Sequence, residues 1–390
     1  MAVNQAIPST LRIADARILL AGAAALALAM GIGRFAYTPM LPAMQAAEGF
    51  GAATAGWIAG WNYLGYLLGA LAASFVAGRE SRYGLFLVSV AASVLTTAAM
   101  GWTTSVAGWC VLRFASGVAS AGVLVIASTI VLEALARVGR PHLMGVNFAG
   151  VGIGIALSGI VVALGVGMLD WRALWLALAG VAAGLALLTL PLTRVRAQGS
   201  PGPASARADR FPVSLLAASY FLEGLGYVVT GTFLVAFTKQ MPAIGGAAEA
   251  LWIVVGLAGA PAALVWSRAG QRWGAPAALI AAYLVQAAGI VLPVFYDSLW
   301  IALVAAVFFG STLMGITALM VGFGGRISPN PARTIGLLTA AFGLGQMIGP
   351  VVGGWLAERQ GGFDGSLLLA AGAVVLGAVL IAAGRATSRA

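Results

Sequence analysis

The chain lacks most of what soluble protein chemistry uses. In 390 residues there is one cysteine, Cys110, and one histidine, His142. One cysteine excludes an internal disulfide, and Cys110 with His142 makes no metal set. Charge is scarce: 8% of residues are Asp, Glu, Lys or Arg, against ~25% in an ordinary soluble domain. Lysine is almost missing, with Lys239 standing beside twenty arginines. There is no Gly-x-x-x-x-Gly-Lys-[Ser/Thr] string, and the Gly-x-Gly strings lie inside apolar runs with no strand before them. ATP-driven transport by this chain alone and dinucleotide chemistry are therefore not expected. No catalytic cluster is visible, so the expectation is a non-enzyme with no cofactor and no metal.

What is present is apolar. Hydrophobic residues make up 61% of the chain, and the mean hydropathy is +1.00. A soluble globule could not hide that surface, because even large domains bury only ~75% of what the unfolded chain exposes. Glycine reaches 54 residues, which suits close helix contacts in lipid. Apolar stretches long enough to span a bilayer fall at 18–44, 53–77, 84–103, 107–132, 143–167, 172–192, 213–237, 250–267, 275–295, 299–323, 334–357 and 366–384. They show no period-2 alternation, which argues against a β-barrel. The first run follows Arg12 and Arg17 as a signal peptide would, but it is long and carries Arg34, so it reads as a retained helix. The expected fold is an all-α membrane protein of twelve transmembrane helices. With the N-terminus inside, sixteen of the 21 basic residues fall in inner segments and three in outer loops. That bias places both termini in the cytoplasm. It also accounts for the net charge of +10 without nucleic acid.

Residues 193–212 are polar, basic and rich in Pro, Gly and Ser, and read as a cytoplasmic linker. They separate an N-terminal six-helix bundle, 1–192, from a C-terminal one, 213–390. The halves repeat. Gly31-Ile32-Gly33 matches Gly224-Leu225-Gly226 at an offset of 193, and Gly150, Gly154 and Gly159 match Gly345, Gly349 and Gly354 at 195. Repeats of six spans keep one orientation, related by an axis along the membrane normal.

This layout resembles the major facilitator superfamily. Leu112-Arg113-Phe114-Ala115-Ser116-Gly117 resembles its Arg-x-x-x-Gly motif, and Gly345-Gln346-Met347-Ile348-Gly349-Pro350 its Gly/Pro packing helix. In the loop after the second span the superfamily favours an Asp; this chain has Gly78-Arg79-Glu80-Ser81-Arg82-Tyr83-Gly84, so a charge latch there would use Glu80 or the arginines. Met30-Gly31-Ile32-Gly33-Arg34-Phe35-Ala36-Tyr37-Thr38-Pro39, with Glu223-Gly224-Leu225-Gly226-Tyr227, is similar to the YbfB/YjiJ-type bacterial transporters. The resemblance implies a transporter and names no substrate.

Ionisable groups inside a membrane are costly, which makes them functional candidates. There are three: Arg34, Arg113 and Glu223. Arg34 is a permanent cation suited to a substrate carboxylate, with Tyr37 and Thr38 on its face at i+3 and i+4. Pro39 and Pro42 bend the helix and free carbonyls, which Arg34 could instead brace. Glu223, with Tyr227 at i+4, should face Arg34 across a shared cavity. A glutamate alternating between an apolar setting and an arginine's neighbourhood takes up and releases a proton; the plain alternative is a fixed Arg34–Glu223 pair. Arg113 shares a stripe with Ser116, Gly117 and Ser120; it could assist proton transfer, hold an anion or brace carbonyls. Asn62 and Tyr66 share a face of the second span as possible substrate ligands. Asn147, Gln286 and Gln346 form a weaker polar set, and Phe35, Trp61 and Tyr63 could line a pocket.

These residues point to a secondary active transporter of the bacterial cytoplasmic membrane. It would be a proton-coupled monomer that moves a small organic anion by alternating access. Export of hydrophobic drug-like compounds is the alternative within that class, and a non-transporting membrane sensor is the alternative outside it.

Overall fold

The computed structural model describes residues 13–74, 79–194 and 211–387. Both extreme ends, residues 75–78 of the loop after the second span, and most of the expected linker lie outside these. The regular structure among the described residues is helical, with no strand. The first apolar stretch is α1 (Ile13–Leu26), a π-helical turn (Ala27–Ile32), a break at Gly33–Ala36, and α2 (Tyr37–Glu48). Then come α3 (Ala52–Ser74), α4 (Arg79–Ala99), α5 (Val106–Arg137), α6 (Met144–Gly165) and α7 (Trp171–Leu188). The second half holds α8 (Val213–Thr238), α9 (Ala248–Gly259), α10 (Ala262–Trp273), α11 (Ala275–Phe295), α12 (Leu299–Gly324), α13 (Pro331–Gln360) and α14 (Asp364–Thr387).

Ten of the described helical segments are long and apolar enough to cross a bilayer, and the α9–α10 pair makes eleven. The remaining expected span is α3. It is 23 residues long, but Asn62, Tyr63, Tyr66 and four glycines dilute its apolar character. Two expected spans are not single rods. The eighth, read at 250–267, bends by 45° between α9 and α10. Pro261 sits at that joint and has no N–H for the preceding turn. The first breaks one turn upstream of its prolines rather than at them. Proline is tolerated in a helix's first turn, so the helix stops and restarts at Tyr37, which places Pro39 in the new first turn.

Packing follows the repeated glycines. A Cβ on Gly154 of α6 would collide with Ala27, and one on Gly31 would collide with Gly154. The equivalent crossing in the other half sets Gly345 and Gly349 of α13 against the α8 backbone. Between the halves, α6 meets α9 where Gly152 and Gly256 oppose each other, and α3 meets α13 where Gly56 lies on Pro350. The Thr38 hydroxyl donates to the Gly231 carbonyl, 193 residues away. That is the offset of the two Gly-x-Gly motifs, so α2 and α8 cross where repeat-equivalent positions meet.

The two ends of the bundle differ. At the end where α2 gives way to α3, the Ala53 N–H donates to Glu358 at 2.8 Å and closes α3 onto α13. At the opposite end, where α6 begins, a cavity of about 780 Å³ opens between α6, α10 and α12. Met144, Phe148, Leu264, Arg268, Met314 and Thr317 line it.

A substitution pair tests the glycine crossings. Gly154→Leu has no room at the π-turn and should abolish folded protein on size-exclusion chromatography in detergent. Gly180→Ala on α7, where a Cβ meets nothing within 4 Å, should leave the melting temperature unchanged or raise it, because alanine favours a helix over glycine by up to ~1 kcal/mol.

Candidate functional site

The site begins with a backbone problem. At the break the Arg34 carbonyl loses its helical partner, because the Thr38 N–H donates to Phe35 instead, at 3.2 Å. Inside a membrane protein such a carbonyl must find a partner from the protein. Arg113 reaches over from α5: Nη1 donates to the Gly33 carbonyl at 3.0 Å and Nη2 to the Arg34 carbonyl at 2.8 Å. The Ser116 hydroxyl adds a second bond to Gly33 at 2.8 Å. Arg113 is 2% exposed and lies 5.1 Å from the Tyr37 ring centroid. Of its sequence-level roles, the carbonyl brace is the one this geometry displays. Asn62 stands behind it and donates to the Arg113 carbonyl at 2.9 Å, which holds α3 to α5.

The break also rotates the helix beyond it. Straight helical spacing would put Tyr37 and Thr38 on the face of Arg34, but the register is lost between them. Tyr37 donates to the Ala55 carbonyl at 3.3 Å, and Thr38 turns to Gly231. Arg34 has other company. Its guanidinium carbon lies 4.0 Å from the Tyr66 ring centroid, 4.6 Å from Tyr63 and 5.5 Å from Phe35. Nη2 donates to Gln346 Oε1 of α13 at 2.8 Å. Gln346 in turn donates to the Tyr227 hydroxyl of α8 at 2.5 Å. Arg34 is 2% exposed, and its Nε has no partner.

Glu223 lies on α8, one turn before Tyr227, and is 1% exposed. Gln286 of α11 donates to its Oε1 at 3.4 Å, while its Oε2 and the Gln286 Oε1 have no partner. Phe342 of α13 stacks on Tyr220 at 4.3 Å and on Tyr227 at 5.7 Å, which aligns this face of α8 with α13. Arg34 and Glu223 make no ion pair. Among the described residues the ion pairs are Arg82–Glu133, Arg172–Glu48 and Lys239–Glu249, all at helix ends. Glu80, the carboxylate expected for a latch beside the second span, has no described side chain; Arg82 takes Glu133 of the same half at 3.6 Å.

The structure therefore brings Arg34, Tyr63, Tyr66, Gln346 and Tyr227 together and places Arg113, Tyr37 and Asn62 behind them as supports. Sequence reasoning ranks Gln346 among weak polar residues and Tyr63 among pocket liners. The signal for Gln346 is its polarity within a glycine-rich helix. Trp61 is exposed and lines a groove with Trp57 and Met347, whose lining does not include Arg34.

A family model described as the uncharacterised MFS-type transporter YbfB matches residues 26–382. The chain belongs to this family. A curated relative, the uncharacterised MFS-type transporter YceJ of Bacillus subtilis (strain 168), is 27% identical over 353 residues, covering 84% of this chain and 86% of the relative. Solved structures of the nucleoside transporter NupG share the fold. One, of a point mutant, aligns with a TM-score of 0.73 at 15% identity over 94% of this chain and 99% of its own. A second NupG structure gives 0.69 at 17%, over 95% and 99%. This MFS-type chain is thus a multi-pass transporter rather than an enzyme, and its buried polar cluster lies where α2, α3, α8 and α13 converge.

The brace makes a sharp prediction. Arg113→Lys keeps the charge but replaces a planar fork with one ammonium. It should lower the melting temperature in detergent by several degrees, whereas Ser116→Ala, which leaves Gly33 its Arg113 bond, should cost about 1 kcal/mol or less. Equal melting temperatures for wild type and Arg113→Lys would refute the brace.

Proposed function

We propose that this MFS-type chain is a proton-coupled secondary transporter of a small organic anion. It works as twelve membrane crossings in two six-helix bundles, as a monomer in the cytoplasmic membrane with both termini inside. The α1–α2 segment and the α9–α10 pair each count as one broken crossing, and α3 completes the number. The bundles rock about the shared site, exposing it to one side at a time. The cavity beside α6 and α12 is then the cytoplasmic vestibule, and the α3–α13 closure is the outer seal.

One observation carries the anion reading: Arg34 is buried, permanently charged and without a carboxylate within ion-pair distance among the described residues. Its Nε is free to donate, and Tyr63 and Tyr66 offer flat apolar surface beside it. An acid with an aromatic or apolar body matches both features. A neutral solute such as the nucleosides of the NupG neighbours would leave that charge to Gln346 and the rings. Glu223 supports coupling, because among the described residues no cation is paired with its buried carboxyl, and a proton is the smallest charge that can balance it.

Two measurements test this reading. In a thermal-shift screen of carboxylates and drug-like cations, carboxylates should stabilise the protein. Arg34→Ala should then weaken binding of the best acid about tenfold or more, and Asn62→Ala should do much less. Equal effects, or stabilisation by cations alone, would remove the anion reading in favour of drug export. In proteoliposomes Glu223→Gln should abolish gradient-driven uptake of that acid but spare counterflow exchange; surviving gradient-driven uptake would end the proton assignment.

A further inference from the structure

The polar residues of this site are bound to each other across the two halves. Arg34 belongs to the first half, and Gln346 and Tyr227 belong to the second. Gln346 Oε1 accepts a hydrogen bond from Arg34 Nη2 at 2.8 Å, and its amide N–H donates to the Tyr227 hydroxyl. Both of its polar ends are therefore used, and the side chain is 1% exposed. Its helix is fixed to α8 below it by Phe342, stacked between Tyr220 and Tyr227, and by Gly345 against Phe221. Gln346 cannot follow Arg34 if the halves part. Tyr227 holds the position that corresponds to Arg34 at the 193-residue offset, so the chain Arg34–Gln346–Tyr227 ties equivalent points of the two halves through one amide.

The geometry points to Gln346 as the positioning residue that makes bundle movement depend on substrate: its amide oxygen occupies the place on Arg34 that a substrate carboxylate oxygen will take. The neutral amide engages one donor of Arg34 and links the halves there. A carboxylate makes charge-assisted bonds to the same guanidinium, stronger than those of an amide oxygen, and so displaces Gln346 and frees α13 from the break that precedes α2. A neutral solute has no such advantage over the amide. The displacement step rests on the anion reading above; the tie itself rests on the two hydrogen bonds.

Distances between the halves test it. Spin labels at Ala47→Cys and Gln240→Cys in a Cys110→Ala background report the end where α2 and α8 finish; both sites are exposed, and Cys110 is the sole native cysteine. Electron–electron resonance on reconstituted wild-type background should give one distance population. Gln346→Leu should add a second, longer population with nothing bound. Gln346→Asn, one methylene shorter and unable to span Arg34 and Tyr227, should do the same while keeping the amide that a folding role would need. Benzoate should shift the wild-type background to the longer distance, and neutral benzamide should not. Gln346→Glu, which sets a carboxylate on Arg34, should stay in the short population and need at least about tenfold more benzoate to move. If Leu and Asn at 346 both keep the wild-type distribution, Gln346 ties nothing and the inference is wrong. If they shift the distances but benzoate does not, the tie stands and the anionic-substrate reading fails.

Discussion

The site depends on one interaction, the grip of Arg113 on the carbonyls of Gly33 and Arg34. A helix can stop in the middle of a membrane protein only where something other than water satisfies the backbone it frees. Arg113 does this with a fixed fork from α5, and Ser116 assists. The consequence reaches beyond the break. Because the helix restarts at Tyr37 in a new register, the Arg34 side chain points toward α3 and α13 rather than sharing a face with Tyr37 and Thr38. One arginine serves the architecture so that the other can be presented to the second half.

The two halves repeat their packing but not their chemistry. Glycines at the crossings within each half recur at offsets of 193 to 195, and they let backbones approach where a Cβ would collide. The polar residues do not recur. The counterpart of Glu223 is Met30, that of Gln346 is Val151, and that of Arg34 is Tyr227. Close helix packing is needed in both halves alike. A single site between them needs only one of each group, so the cation comes from one half and the amide and carboxyl from the other.

Much of this was legible in the residues themselves. The spans, the repeated glycines, the three intramembrane ionisable groups and the family resemblance all come from local composition and spacing. The broken helices were only half legible. Pro39 and Pro42 announce a disturbance, but where a helix stops depends on which neighbour can hold its loose carbonyls. The expected facing of Arg34 and Glu223 did not translate into contact, because a glutamine came between Arg34 and the second half, and Glu223 turned to Gln286 on α11.

The amino-acid order alone determined that this chain lives in lipid as helices, that it is built twice, and that Arg34, Arg113 and Glu223 are the residues whose charge must be accommodated. Hydropathy and period decide these points, and both are properties of neighbours in sequence. Only the tertiary structure decided their division of labour. Hydrogen bonds are directional and short, and their partners here lie 79 and 312 residues apart along the chain. No local pattern could say which arginine would hold the backbone and which would be left to face Gln346.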